Sequence, residues 1–341
     1  MKAIVYNNPW DIRIEEKEEP AIILPDEVIV EIRATGICGT DLSIISGEYL
    51  ARPQVIIGHE SAGVIVEKGK GVDNCNVGDR VIIDPTFYCG YCDNCRKGLR
   101  NHCLLKSTTE AGVSIDGTFT RYFKTTQRFI YGLHDNIPFE QGAMSEPLSC
   151  VLTAVKKLAV NPFMRTAILG GGPIGLLFYM ALKQHGIQEG VIYETSKNRI
   201  KLIEQNNVLS KGWQVAPEFI PQKNQYDLII DTTGSLLEKS MLAIADGGKI
   251  SLMGLRNNQQ TINPREIADR SISIIGSIDS QDTFKHAVDL INSGRLELEK
   301  IITNGYSLND FTTAVKDLGC DVGSKQRNNN ISSLKSFISI T

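Results

Sequence analysis

The 341-residue chain has no run of about 18 apolar residues, the length needed to cross a bilayer core, so a helical membrane span is excluded. It has no strong charge of either sign. The 36 Lys and Arg against 39 Asp and Glu leave a formal net charge of −3, which gives no general attraction for nucleic acid or an acidic membrane face. It lacks a signal-peptide core, because Met1-Lys2-Ala3-Ile4-Val5-Tyr6 turns polar at Asn7. The expected compartment is the reducing cytoplasm, and the eight cysteines are expected as thiols or metal ligands rather than disulfides. There is no repeat of fixed period and no long linker. With 42% hydrophobic and 22% charged residues, the composition excludes disorder, collagen and coiled coil. The length suits two domains and buries enough apolar surface to fold without a disulfide scaffold.

What is present changes character along the chain. The first part is β-rich. Glu27 to Ile32, Ser61 to Glu67 and Arg80 to Ile83 are strand-like, separated by turns such as Gly69-Lys70-Gly71 and Val77-Gly78-Asp79. A helical pattern begins near Glu146 and ends before Asn161-Pro162. Short continuous apolar strands then alternate with helices: Ala167-Ile168-Leu169, Gly190 to Tyr193, Asp227 to Asp231, Lys249 to Met253 and Ile272 to Ile275. That texture indicates a parallel sheet covered on both faces. Residues 283–318 read as helical, with strand-like Ile301-Ile302. In the tail, Ile331, Leu334, Phe337 and Ile338 recur at the spacing of a short amphipathic helix. The expected fold class is α/β, with a twisted β-domain over 1–150, a doubly wound parallel-sheet domain over 151–279, and a return to the first domain over 280–341.

Cys89, Cys92, Cys95 and Cys103 follow the spacing C-x2-C-x2-C-x7-C. Four thiolates gathered by tight turns make a closed tetrahedral site for structural Zn²⁺, with no position left for substrate. A bacterial iron–sulfur motif closes with three intervening residues and a proline, whereas here seven intervene and Leu104 follows. A nucleic-acid zinc knuckle does not suit the mild acidity.

A second set is more open. Cys38 lies in Gly36-Ile37-Cys38-Gly39-Thr40-Asp41, and His59 and Glu60 follow Gly58. Singly, such residues are more often packing than ligands. Together they offer thiolate, imidazole and carboxylate from two glycine-flanked loops, a mixed set that leaves room for water or an alcohol oxygen, as catalytic zinc requires. Glu146 is a further carboxylate candidate. Its place in the first turn of a helix, with Pro147 next, also suits the helix dipole.

Gly170-Gly171-Gly172-Pro173-Ile174-Gly175 contains G-x-G-x-x-G. It follows a strand and opens a helix, and an acid, Glu194, stands 19 residues beyond Gly175 at the end of the next strand. That is the context of a dinucleotide site. The glycines let a pyrophosphate approach the helix N-terminus, and Glu194 would accept the adenosine ribose hydroxyls. A carboxylate there disfavours a 2′-phosphate, so NAD is expected over NADP, although Lys197 and Arg199 nearby pull the other way.

Over about residues 1–320 the chain resembles the zinc-containing medium-chain dehydrogenase/reductase family. The resemblance rests on Gly36 to Asp41, Gly58-His59-Glu60, the four-cysteine lobe, Glu146-Pro147-Leu148, Gly170 to Gly175, and the later stretches Tyr226 to Gly234, Gly247 to Leu255 and Ile275-Gly276-Ser277. It implies a GroES-like catalytic domain with a Rossmann domain inserted, and two zinc ions per chain. By position Cys38 and His59 correspond to catalytic zinc ligands. Glu60 and Glu146 match the carboxylates of the polyol, sugar and threonine dehydrogenase branch, and Thr40 matches the hydroxyl that relays the substrate proton. It also implies a homodimer or homotetramer, for which Ser271 to Ile275 offers an edge strand. The implied activity is NAD-linked oxidation of a polyol, sugar or cyclitol. Threonine dehydrogenation and an inactive NAD- and zinc-binding relative are the rivals. The sequence departs from the family in two places: 208–225 lacks its Gly-Ala signal, and the Asn- and Ser-rich stretch 323–341 does not match its closing apolar strand.

Overall fold

In the computed structural model, which describes residues 1–256 and 259–340, the β-branched run at Val28-Ile29-Val30 grows into a ten-residue strand, Glu27–Gly36. Such side chains suit a pleated surface packed on both faces. Glu60–Lys68 runs antiparallel along one edge of this strand. The other edge is shared by Tyr122–Thr126, facing residues 27–31, and Lys335–Ser339, facing residues 34–36. Arg80–Ile83, Ile130–Gly132 and Ile302–Ser307 complete a seven-stranded sheet. Val30, Ile32, Ile65, Val81, Phe119, Phe311 and Ile338 are buried in one core. There the Phe119 and Phe311 rings meet edge to face at 5.1 Å, a favoured aromatic geometry.

Met1–Ser149 and Ser280–Thr341 make up this compact unit, and Cys150–Asp279 makes up a second. The second holds six parallel strands. Their spatial order is Trp213–Ala216, Gly190–Tyr193, Thr166–Leu169, Tyr226–Asp231, Ile244–Leu252, Ser273–Gly276. The strand earliest in sequence, Thr166–Leu169, sits in the interior and the order reverses beside it. That is the doubly wound topology, whose ligand crevice lies at the carboxyl end of that strand. The glycine loop is placed there. A Cβ on Gly175 would overlap the Gly170 carbonyl oxygen, so glycine alone lets the helix Pro173–Gln184 start so close to the loop. The stretch 208–225, which lacks the family signal, still supplies the edge strand Trp213–Ala216. Among the described residues no helix is long and apolar enough to cross a membrane.

Two expectations need correction. Residues 283–318 are not helical throughout: Phe284–Asn292 and Phe311–Asp317 are helices, and a full strand, Ile302–Ser307, lies between them. The tail is not an amphipathic helix. Lys335–Ser339 is a strand, parallel to Ile302–Ser307 and antiparallel to the end of Glu27–Gly36. It supplies the closing strand that the sequence did not match to the family. Lys335, Ser336, Phe337 and Ile338 are all buried in succession, so both faces of the strand are covered and no period of two survives. The helical spacing of its apolar residues is a coincidence. Residues 34–36 otherwise present unpaired backbone groups, and only an extended segment satisfies them. The final residue, Thr341, lies outside the described residues.

The tail is therefore core rather than appendage. Phe337 has no exposed surface, and Phe337→Ala is expected to cost about 3–5 kcal/mol in denaturant unfolding. A loss below about 1 kcal/mol would mean that the strand adds little to the sheet.

Candidate active site and metal centres

The register that sets Gly36 opposite Glu60 brings two short loops together. Cys38 stands two residues beyond Gly36, and His59 one residue before Glu60. One donor atom each from Cys38, His59 and Glu60 lies within 4.8 Å of the others. Cys38 caps the helix Gly39–Ser46, and Thr40, half-buried, is that helix's second residue. Glu146 lies in the first turn of the helix Ser145–Leu158, and its charge acts on His59.

Two residues that the sequence reading did not single out complete the cluster. Asp41 is fully buried. One carboxylate oxygen accepts the Cys38 backbone N–H at 2.8 Å. The other has no hydrogen-bond partner and lies 3.7 Å from His59 Nδ1. An outer carboxylate that accepts the ring N–H orients a metal-binding imidazole; here the two atoms face each other just beyond hydrogen-bond length. Lys335, from the tail strand, donates from Nζ to the Ile37 carbonyl at 2.9 Å and to Glu60 Oε2. The cysteine-to-aspartate spacing of three residues is a helix-start signal that made Asp41 findable. Lys335, 275 residues from Glu60, had none.

The electrostatics are those of a buried charged cluster. Burial works against the His59 imidazolium, but the Cys38, Asp41 and Glu146 charges outweigh it and hold the pKa well above the ordinary value. Burial raises the Asp41 carboxyl, against the pull of His59 and the Cys38 N–H. Burial likewise disfavours the Lys335 ammonium, yet Glu60 and Cys38 keep it above a free lysine. A thiolate, an imidazole and a carboxylate meeting in such a field, with an orphaned acceptor behind the imidazole, fit a divalent metal.

The four-cysteine lobe is equally well formed. Its sulfurs all lie within 4.8 Å of one another, at 3.6 Å for Cys89–Cys103, 3.9 Å for Cys89–Cys95 and 4.0 Å for Cys92–Cys103. A tetrahedron with Zn–S bonds of about 2.3 Å has edges of about 3.8 Å. Disulfides need roughly 2.05 Å, so none is formed. Backbone N–H groups of Cys89, Cys92 and Leu105 point at the sulfurs at 3.4 Å. The backbone N–H groups of Leu104 and Cys95 bring the Cys92 thiol down to about 6, while burial pushes Cys95 up to about 12. The backbone thus supports only part of the negative charge that four thiolates carry. Of the neighbouring cations, Arg100 pairs with Asp282 at 2.7 Å and Lys106 lies 3.9 Å from Glu110, so neither is reserved for the sulfurs.

In the second unit Gly170 takes a left-handed φ of 106°, Gly172 caps the helix, and Pro173 opens it ahead of Ile174 and Gly175. Glu194 is buried at the end of Gly190–Tyr193. It accepts the Gly171 N–H at 3.0 Å, the Ser196 N–H at 2.8 Å and Arg199 Nη1 at 2.6 Å. The glycine loop and the acid are therefore tied together directly, and Arg199 is engaged by Glu194.

Comparison with known proteins bears on the fold and the family. A family profile described as alcohol dehydrogenase GroES-like domain matches residues 24–135, and one described as glucose dehydrogenase C-terminus matches 140–324. The chain is 31% identical to sorbitol dehydrogenase of Bacillus subtilis (strain 168), over 93% of each chain. It is 29% identical to D-arabinitol dehydrogenase 1 of Uromyces fabae, over 92% of this chain and 93% of that one. Among solved structures, a zinc-binding dehydrogenase of Sinorhizobium meliloti 1021 bound to NADP matches with a TM-score of 0.87 at 25% identity, over 99% of this chain and 98% of the other.

Cys92→Ser is expected to lower the zinc content of freshly purified protein by one ion per chain and to loosen the lobe, because metal affinity contributes to its folding. Elemental analysis together with limited proteolysis measures both. Unchanged zinc, or iron with visible absorbance, would contradict the four-thiolate zinc site.

Proposed function

This chain belongs to the zinc-containing medium-chain dehydrogenase/reductase family, and we propose that within it the chain oxidises a secondary alcohol of a polyol, sugar or cyclitol to the ketone, reversibly, with NAD as hydride acceptor. It is an oxidoreductase acting on CH–OH groups. The observation that carries the finer reading is the donor set: a single thiolate converging with an imidazole and a carboxylate, and a further carboxylate, Glu146, whose charge reaches His59. A site so rich in oxygen donors suits a vicinal diol, which offers two donor atoms, better than a simple alcohol with one.

When bound, zinc acts as a Lewis acid that lowers the pKa of the alcohol hydroxyl, and NAD supplies the redox chemistry. Cys38, His59 and Glu60 would hold that zinc, with the Asp41 carboxylate facing the imidazole and Glu146 as a further carboxylate whose charge reaches it. Thr40 Oγ1 accepts the proton from the substrate hydroxyl. Cys89, Cys92, Cys95 and Cys103 would hold the second zinc, and a reducing compartment would keep them from forming disulfides. Gly170, Gly172 and Gly175 leave space for the pyrophosphate, and Glu194 receives the ribose hydroxyls. The Sinorhizobium relative binds NADP, so a preference for NAD has to reside in this chain's own residues. Glu194 supports one, because it offsets the Arg199 charge that a 2′-phosphate needs. The edge strand Ser273–Gly276, with Ile274 and Ile275 only half-buried, is a liability in a monomer. A homodimer or homotetramer joined along it would cover that edge.

Catalytic efficiency on a polyol and cyclitol panel, threonine, ethanol and butanol tests the substrate class. Polyols are expected to lead, and Glu146→Ala is expected to reduce their turnover while NAD binding survives. Simple primary alcohols winning by tenfold, about 1.4 kcal/mol, would refute the donor-set argument. Cofactor choice is tested by Glu194→Ser, which is expected to shift preference toward NADP by freeing Arg199. Equal or better efficiency with NADP in the unaltered protein would overturn the NAD assignment.

A further inference from the structure

Lys335 is out of place by every local criterion. It lies in a strand whose other roles are served by Phe337 and Ile338, and only 2% of it is exposed. Burying an ammonium is costly unless it is paired and hydrogen-bonded. Nothing in closing the sheet needs a cation, since an apolar residue at this position would pair its backbone equally well. The charge is used elsewhere. Nζ takes the Ile37 carbonyl, one residue before Cys38, and Glu60 Oε2, one residue after His59.

Gly36 lies against the same oxygen. A Cβ on Gly36 would overlap Glu60 Oε2 and come within 3.1 Å of Lys335 Cε. Gly36 therefore makes the slot in which this carboxylate oxygen and the lysine stem meet. Glu60 itself is 1% exposed and shut away from bulk solvent, so its orientation is set by these contacts. One oxygen is engaged by Lys335, and a Glu60 carboxylate oxygen lies within 4.8 Å of the Cys38 sulfur and a His59 ring nitrogen.

Resting on the metal-ligand reading of Cys38 and His59 above, we propose that Lys335 is a positioning residue of the catalytic metal centre: by holding Glu60 Oε2 it presents Glu60 as a one-oxygen donor and offsets its charge. The last strand of the chain thereby serves the metal site as well as the sheet. With one thiolate as the remaining ligand charge, the centre stays electron-poor enough to act as a Lewis acid. A carboxylate free to bind through both oxygens would occupy the position that a substrate oxygen needs.

The test is a double-mutant cycle read on metal binding rather than turnover. Lys335→Met, Glu60→Gln and the combined variant are compared with the parent. Co²⁺ affinity is measured by chelator competition, and the single-thiolate centre is distinguished from the four-thiolate lobe by its absorption bands. Lys335→Met is expected to weaken metal binding at the Cys38 centre by about 10- to 100-fold, the usual effect of removing an outer-shell partner, and to alter its bands. In the Glu60→Gln background the same substitution is expected to change little. The combined variant leaves neither half of the Lys335–Glu60 pair as a lone buried charge, so it stays informative if Lys335→Met alone fails to fold. A loss of metal affinity from Lys335→Met that is as large in the Glu60→Gln background as in the parent would assign Lys335 to the sheet alone and overturn the proposal. So would a Lys335→Met protein that binds metal as the parent does. If the parent itself binds Co²⁺ only at the four-thiolate lobe, the metal reading of Cys38 and His59 falls, and this inference with it.

Discussion

The structure turns on the end of one strand. Where Glu27–Gly36 stops, Gly36 faces Glu60 on one side and Phe337 on the other. That three-strand junction fixes where Cys38, His59, Glu60 and Lys335 stand. A slip of one residue in either register would send alternate side chains to the opposite face, parting the thiolate from the imidazole and the ammonium from the carboxylate. The core beneath, with Ile32, Phe119, Phe311 and Ile338, is what makes such a slip expensive.

The charges gathered there set a second constraint. Asp41, Glu60 and Lys335 are essentially removed from water, and His59 nearly so. A cluster of this kind contributes little to stability for its own sake, because desolvation consumes most of the attraction. Its worth lies in fixed orientation. Asp41 faces the imidazole and Lys335 grips the carboxylate. Sites that are pre-organised in this way typically depend on the surrounding fold to hold groups that would otherwise repel or hydrate.

The other two chemical centres are built differently. The four-cysteine lobe draws its order from a short sequence, two tight turns and the charge of the metal it fits, with backbone N–H groups of Cys89, Cys92 and Leu105 as donors to sulfur. The dinucleotide loop draws its order from steric need: Gly175 sits against the Gly170 carbonyl, and Glu194 is tied back to Gly171. In both, the essential residues are close in sequence or separated by one strand and one helix.

That difference decides what could be read without a structure. The sequence by itself determined the two fold types, the four-thiolate spacing, the glycine loop with its acid, and the identity of Cys38, His59, Glu60 and Glu146 as candidates, because each is a local pattern whose chemistry requires fixed spacing. The tertiary structure alone decided that the polar-looking tail is a buried strand, that residues 302–307 pair with it, and that Lys335 reaches Glu60 across 275 residues of chain. The tail's apolar residues fall at helical spacing, yet the unpaired backbone at residues 34–36 outweighs that local preference. Hydrogen bonding to an open strand edge is a property of the assembled sheet, and no window of sequence contains it.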